Sequence, residues 1–300
     1  SKIKLLLASI FSASISIIFL IFISNIQTKR LYLGDERNKI EKWSIDKNGN
    51  PKDKCFLISK YTSVKLKNCF PQTDLKQKKI FLIGDSHARN YLPALSNLIP
   101  NYKVFHLTIG HHCSYLPKSM IPNRVNIKMN CEQYVKDINQ YFQDNIKKGD
   151  IIFVGQQLMP QRKKFLFRRD VDSYFENIKN LAEISASKSV PIVLLDGTAP
   201  PPGMVDGLCS KEVYRPFPPS SCKTSLFEVK NRYLTFDKLA KEYSDDIRNL
   251  FYVPLRDGLC IDQVCGVITS KGTRIWIDYG HITEASASEL RPLLLERLNK

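Results

Sequence analysis

Glycine and proline are scarce, 13 and 16 among 300 residues, which excludes collagen-like and Pro/Gly low-complexity chains. No Cys-x-x-Cys occurs, so the signatures of a zinc ribbon and of a thioredoxin-type redox site are missing. No internal repeat is visible. Acidic residues fall short of basic ones, 29 Asp and Glu against 45 Lys and Arg, leaving a net charge of +16. That deficit favours anionic neighbours: phospholipid headgroups, acidic glycans or nucleic acid. Apolar residues, by contrast, are in ordinary supply. A composition of 43% hydrophobic and 25% charged residues supports a folded core and excludes wholesale disorder. The length suits one large domain or two small ones.

Charge is absent altogether from Leu5 to Thr28. Roughly 20 helical residues cross a ~30 Å hydrocarbon layer, and Ser9, Ser12, Ser14 and Ser16 can bond their own helix carbonyls. Residues 1–28 are therefore expected to form a retained transmembrane helix. A cleaved signal peptide fits less well, because the apolar run is long and Ser24-Asn25-Ile26 is a poor small-x-small exit site. A buried core helix is rarely this long and uninterrupted. Lys2 and Lys4 are matched by Lys29 and Arg30, so the positive-inside rule gives no orientation.

The cysteines supply one. All eight follow the apolar segment: Cys55, Cys69, Cys113, Cys131, Cys209, Cys222, Cys260 and Cys265. They fall into four successive couples, which suggests disulfides 55–69, 113–131, 209–222 and 260–265 in an oxidising compartment. The folded part is then expected on the periplasmic or extracellular side of an inner membrane, where nucleic acid is not an expected partner.

Residues 29–77, polar and Lys-rich, read as a linker with a small disulfide loop, ahead of a domain over 78–300. In that domain KIFLIG (79–84), KVFHLTIG (103–110), DIIFVG (150–155), VPIVLLDG (190–197) and LFYVP (250–254) are continuous apolar runs. Such runs suit strands covered on both faces. Between them, 88–98, 132–147, 171–187, 226–243 and 283–298 carry apolar residues at helical spacing. Alternation of this kind predicts an α/β fold, a five-stranded parallel sheet sandwiched by helices. Ligands of such sheets bind at the carboxyl ends of strands. Gly197–Ser225, rich in proline, reads as a stapled surface loop at the site edge.

Two segments carry chemistry. The first strand runs into Gly84-Asp85-Ser86-His87, which places Ser86 at the start of a helix, where free N–H groups and positive potential favour a developing oxyanion. A plain helix N-cap is the competing reading of Ser86. Near the other end, Asp278 and His281 stand just before the last helix. At that spacing a carboxylate can hold an imidazole from behind while its other nitrogen faces a nucleophile. An incidental surface histidine is the alternative.

IGDSHARNYLPAL, TIGHHCSYLP with Cys131 downstream, DGLCIDQVC and IDYGHIT, in that order, resemble the SGNH (GDSL-like) hydrolase superfamily. They are most similar to the SGNH domains joined to acyltransferase-3 membrane proteins that O-acylate cell-surface glycans. The resemblance covers roughly 78–300 and implies a three-layer α/β/α fold with Ser86 as nucleophile, His281 as base and Asp278 as its orienter. It implies an oxyanion hole from the Ser86 N–H and Gly110. Where the superfamily often has Gly-x-Asn, this chain has Gly155-Gln156-Gln157, so either Gln157 is the third donor through its longer amide or the hole has only two donors. His87 and Arg89 are candidates to touch an acidic substrate, against a reading as solvated first-turn residues. His111 and His112 are candidates to line the pocket. Arg162–Arg169 is a basic patch with Phe165 and Phe167 interleaved, a candidate to meet a membrane surface or an anionic glycan, against a reading as an ordinary charged approach to a helix.

The implied activity is O-acyl transfer, acetyl foremost, to a cell-envelope polysaccharide such as lipopolysaccharide O-antigen. No metal or cofactor is expected in the domain. The acyl group would come from acetyl-CoA through an acyltransferase-3 membrane part, in the same or a separate chain. An acetylesterase with the same triad and a non-catalytic glycan-binding module are the rival readings.

Overall fold

A computed structural model describes residues 14–20, 53–57, 61–71, 76–110, 115, 130–156, 168–205, 209, 220–277 and 280–299. Of the apolar N-terminal segment only 14–20 is included, as an exposed stretch of helix. Among the described residues no helix is long and apolar enough to cross a membrane. The rest of the expected anchor lies outside the described residues.

From residue 53 onward the first elements are a short strand, β1 (Phe56–Leu57), and helix α1 (Ser63–Cys69). Strand β2 (Lys79–Gly84) leads into two single turns, α2 (Ser86–Arg89) and α3 (Leu92–Leu95). There follow β3 (Lys103–Ile109), α4 (Cys131–Asn145), β4 (Ile151–Gly155), α5 (Arg168–Ser187) and β5 (Ile192–Leu195). Then come β6 (Thr224–Ser225), α6 (Leu226–Asp246), β7 (Leu250–Val253), β8 (Cys260–Ile261), β9 (Val264–Cys265), α7 (Glu284–Glu289) and α8 (Arg291–Leu298).

The main sheet runs β1-β3-β2-β4-β5-β7, parallel at every pairing. It has six strands rather than the expected five. The extra one is β1, which adds two residues to the β3 edge, Phe56 opposite Thr108 and Leu57 opposite Ile109. A two-residue strand has no alternation to read. Residues 53–71 lie in the segment expected as a linker, yet Leu57, Tyr61, Leu66 and Phe70 are buried in the main core. A second, antiparallel sheet, β6-β9-β8, stands apart.

Both faces of the main sheet are covered, as continuous apolar runs demand. In β2, Phe81 and Ile83 enter the cluster formed with α1, α4, α5 and α6. Ile80 and Leu82 enter the opposite cluster, with Ala88, Tyr91 and Leu95 beside β2 and Ala287, Leu290 and Leu294 from α7 and α8. The layers are thus α/β/α. The helix expected over 88–98 is instead two turns. Pro93 lies at the start of α3, where a missing N–H is tolerated as it is not in a helix interior.

Disulfides join Cys55 to Cys69, Cys209 to Cys222 and Cys260 to Cys265. Cys131 is also disulfide-bonded, and Cys113 lies outside the described residues. The beginning of the expected surface loop, 197–201, is buried. Its backbone is anchored by the Tyr233 hydroxyl, which donates to the Thr198 carbonyl at 3.1 Å.

Candidate active site

Strand β2 has β3 on one side and β4 on the other, so the chain's direction of travel reverses there. Such a switch point opens a crevice at the strand's carboxyl end, and Ser86 stands in it. Two glycines let the turn close. Gly84 has φ +134°, and a Cβ there would lie 1.8 Å from the Gly155 carbonyl oxygen. A Cβ on Gly155 would lie 2.6 Å from Ala88 Cα. Helix α2 therefore starts directly against the sheet.

Asp85, not Ser86, caps that turn. Its carboxylate accepts from the His87 N–H at 2.8 Å, and its own N–H donates to the Gly155 carbonyl at 3.3 Å. The Ser86 hydroxyl is left out of the capping and has no hydrogen bond to a described residue. With only four residues in α2, few peptide dipoles align, and individual N–H groups matter more here than a helix dipole.

His281 arrives from the far end of the chain on a tight loop. Trp276 and Ile282 form an antiparallel bridge, and the Ile277 N–H donates to the His281 carbonyl at 2.9 Å. Beyond it, Thr283 caps α7. Its hydroxyl accepts from the Ser286 N–H at 3.1 Å and donates to the Arg274 carbonyl at 2.6 Å. The Gly280 carbonyl accepts from the Thr198 hydroxyl at 2.6 Å and the Asn90 amide at 3.4 Å. The rings of His87 and His281 stack, centroids 4.8 Å apart and planes 22° from parallel. As His87 directly follows Ser86, the stack brings His281 to the serine's own turn. Asp278 lies outside the described residues, as do Gln157, His111, His112 and residues 162–167 of the basic patch.

Three candidate roles look different in three dimensions. His87 is 2% exposed and packs on His281 instead of facing solvent. Arg89 is 7% exposed. Its Nε meets Asp53 Oδ2 at 3.0 Å, and its guanidinium lies 5.2 Å from the Phe56 ring centre. It therefore ties the N-terminal edge of the domain to the turn that carries Ser86. The Gly110 N–H donates to the Leu57 carbonyl at 2.7 Å, so it serves the β1 edge and is not aimed at an oxyanion. Sequence reasoning missed Asp53, Asn90 and Thr198. Asn90 lies in the segment that carries Ser86, and Thr198 in the loop expected at the site edge, but neither is singled out there as a residue. Gln156, beside the candidate donor Gln157, is fully buried with neither amide atom hydrogen-bonded.

Asp53 also meets His106 Nε2 at 3.1 Å and accepts from the Cys55 N–H at 2.9 Å. Burial pushes its carboxyl up, but the His106 contact, the Cys55 N–H and Arg89 outweigh it and hold the pKa at about 2. It stays ionised across the working range.

A parallel α/β/α sheet with a serine at its switch point and a histidine brought to the same turn is an arrangement compatible with an enzyme of the acyltransferase or esterase class. The chain belongs to the family described as SGNH domain (fused to AT3 domains), which matches residues 53–296. No curated protein matches it. Among solved structures it is similar to the periplasmic domain of a Salmonella ser. Paratyphi A lipopolysaccharide acetyltransferase. Identity is 15%, coverage 82% of this chain and 91% of that one, and the TM-score 0.56. The catalytic domain of Streptococcus pneumoniae peptidoglycan O-acetyltransferase A superposes more loosely. There identity is 14%, coverage 75% and 94%, and the TM-score 0.35.

Proposed function

We propose that the chain is an extracytoplasmic O-acyltransferase, held at the inner membrane by its apolar N-terminal segment, that acetylates a cell-envelope polysaccharide such as lipopolysaccharide O-antigen. The observation that supports this reading is the His87–His281 stack, which brings the histidine to the turn that carries Ser86. The lipopolysaccharide acetyltransferase with the same fold and the family's fusion to acyltransferase-3 parts support the acceptor class and the membrane partner. That partner would supply the acetyl group from acetyl-CoA.

In this reading His281 takes the Ser86 hydroxyl proton as Oγ attacks the acetyl carbonyl carbon. The bond to the donor's leaving group breaks, and His281 protonates that group. A sugar hydroxyl then gives its proton to His281 and attacks the acyl carbon, and Ser86 Oγ leaves and recovers the proton. Asp278 holds the imidazole tautomer. The Ser86 N–H and the Gln157 amide receive the oxyanion. The +16 charge suits an anionic glycan near an anionic membrane.

The test is partition of the acyl group. The full chain in detergent is given an activated acetyl ester and a de-O-acetylated envelope polysaccharide. Ser86-dependent acetyl on the glycan supports transfer. Acetate alone, at any glycan concentration, identifies an esterase and overturns the transferase reading.

A further inference from the structure

The backbone of His281 is held on both sides. Its own carbonyl is bonded by Ile277 across the loop. The preceding carbonyl, on Gly280, is bonded by two side chains from different parts of the fold, and the shorter bond, 2.6 Å, comes from Thr198. Asn90, on the turn after Ser86, makes the longer one at 3.4 Å. Thr198 belongs to no motif. It lies just past the end of β5 and is fully buried.

The surroundings of Thr198 fix where its hydroxyl points. Asp196 accepts from the backbone N–H groups of Leu255 and Arg256, at 2.7 and 3.1 Å, and from the Arg256 guanidinium at 2.8 Å. The Tyr91 hydroxyl donates to the Asp196 carbonyl at 2.5 Å. Arg256 also pairs with Asp237 and lies 4.3 Å from the Tyr233 ring centre. Tyr233 in turn donates to the Thr198 carbonyl. All but Asp237 are buried, and a satisfied buried network of this kind has little freedom to rearrange. Thr198 is thus a rigid post, and the Gly280 carbonyl hangs from it.

A tilt of the Gly280–His281 peptide would carry the imidazole with it. Misplacing a catalytic group by about 1 Å costs roughly 10²-fold in rate. We infer that Thr198 is a positioning residue for His281: its hydroxyl, acting through the Gly280 carbonyl, sets the imidazole's place relative to Ser86, and Asn90 is the second tether. The inference rests on the reading of Ser86 and His281 as nucleophile and base.

The experiment compares the full chain with its Thr198→Val and Thr198→Ser variants. It follows acyl-enzyme formation from an activated acetyl ester, with thermal melts alongside. Val keeps the shape and removes the hydroxyl; Ser keeps the hydroxyl. The expected result is acylation ~10–100-fold slower in Thr198→Val at unchanged KM, with Thr198→Ser within about threefold of wild type. Thr198→Val acylating at wild-type speed overturns the inference, and so does Thr198→Ser as slow as Val. If Val fails to fold, Thr198→Ala replaces it. If neither folds, the hydroxyl supports the whole domain, not His281, and the inference is wrong. A wild-type chain that forms no acyl-enzyme, or a Ser86→Ala chain that forms it equally well, defeats the reading of the site itself, and the positioning role falls with it.

Discussion

Replacing Gly84 with alanine should unsettle the turn that carries Ser86 and the whole domain with it. The added Cβ meets the Gly155 carbonyl oxygen at 1.8 Å and Ala88 Cβ at 2.9 Å. The first of these neighbours is backbone in the middle of the sheet, so no side chain can swing away to make room. Forcing extra volume into a packed core typically costs about 1–3 kcal/mol. The φ of +134° adds strain of order 1–3 kcal/mol for a residue with a side chain. Together these give about 4 kcal/mol. At roughly 2–4 °C per kcal/mol for a domain of this size, the melting temperature should fall by about 8–16 °C. Circular dichroism melts and urea midpoints on the oxidised protein measure this. Gly266 is the control, since a Cβ there has nothing within 4 Å; Gly266→Ala should change stability by less than about 0.5 kcal/mol. If Gly84→Ala melts within about 2 °C of wild type, the close approach of β2 and β4 at the site is wrong, and the placement of Ser86 with it.

Two more expectations concern the N-terminal edge. The Asp53 pKa lies below its ordinary 3.8, at about 2, so its stabilising contribution is full above about pH 4 and is lost as pH falls towards 2. Asp53→Asn should flatten that limb of the stability profile, and an unchanged limb would show that the Arg89 and His106 contacts do not form. Removing the Cys55–Cys69 bridge, which closes a loop of sequence separation 14, should cost ~3 kcal/mol. A double Cys→Ser variant with the wild-type melting curve would mean that residues 53–71 are not part of the cooperative unit.

Much of this architecture was legible because long buried strands announce themselves. KIFLIG and IIFVG are apolar on both faces and end in the glycines that allow the tight turn, so the parallel sheet and the position of Ser86 follow from the residues. β1 was not legible, since two residues at a sheet edge carry no period. Nor was the partner of Arg89. An arginine after a nucleophile looks like a substrate contact until folding sets it against Asp53, 36 positions upstream. The same holds for Gly110, whose N–H looks available until Leu57 takes it. Which residue caps the turn was not legible either: the Asp85 carboxylate accepts from the His87 N–H, and sequence favours Asp and Ser about equally for that task. Thr198 was invisible, because a threonine that acts through a neighbour's backbone leaves no motif.

The central claim is that Ser86 carries the acyl group, and peptide-level mass spectrometry tests it most directly. The full chain is mixed briefly with an activated acetyl ester, quenched in acid and digested. The account predicts a single acetyl adduct on the peptide containing Ser86, absent in Ser86→Ala and formed ~10²–10⁴-fold more slowly in His281→Ala. An adduct of equal yield in Ser86→Ala, or one located on another residue, would contradict it.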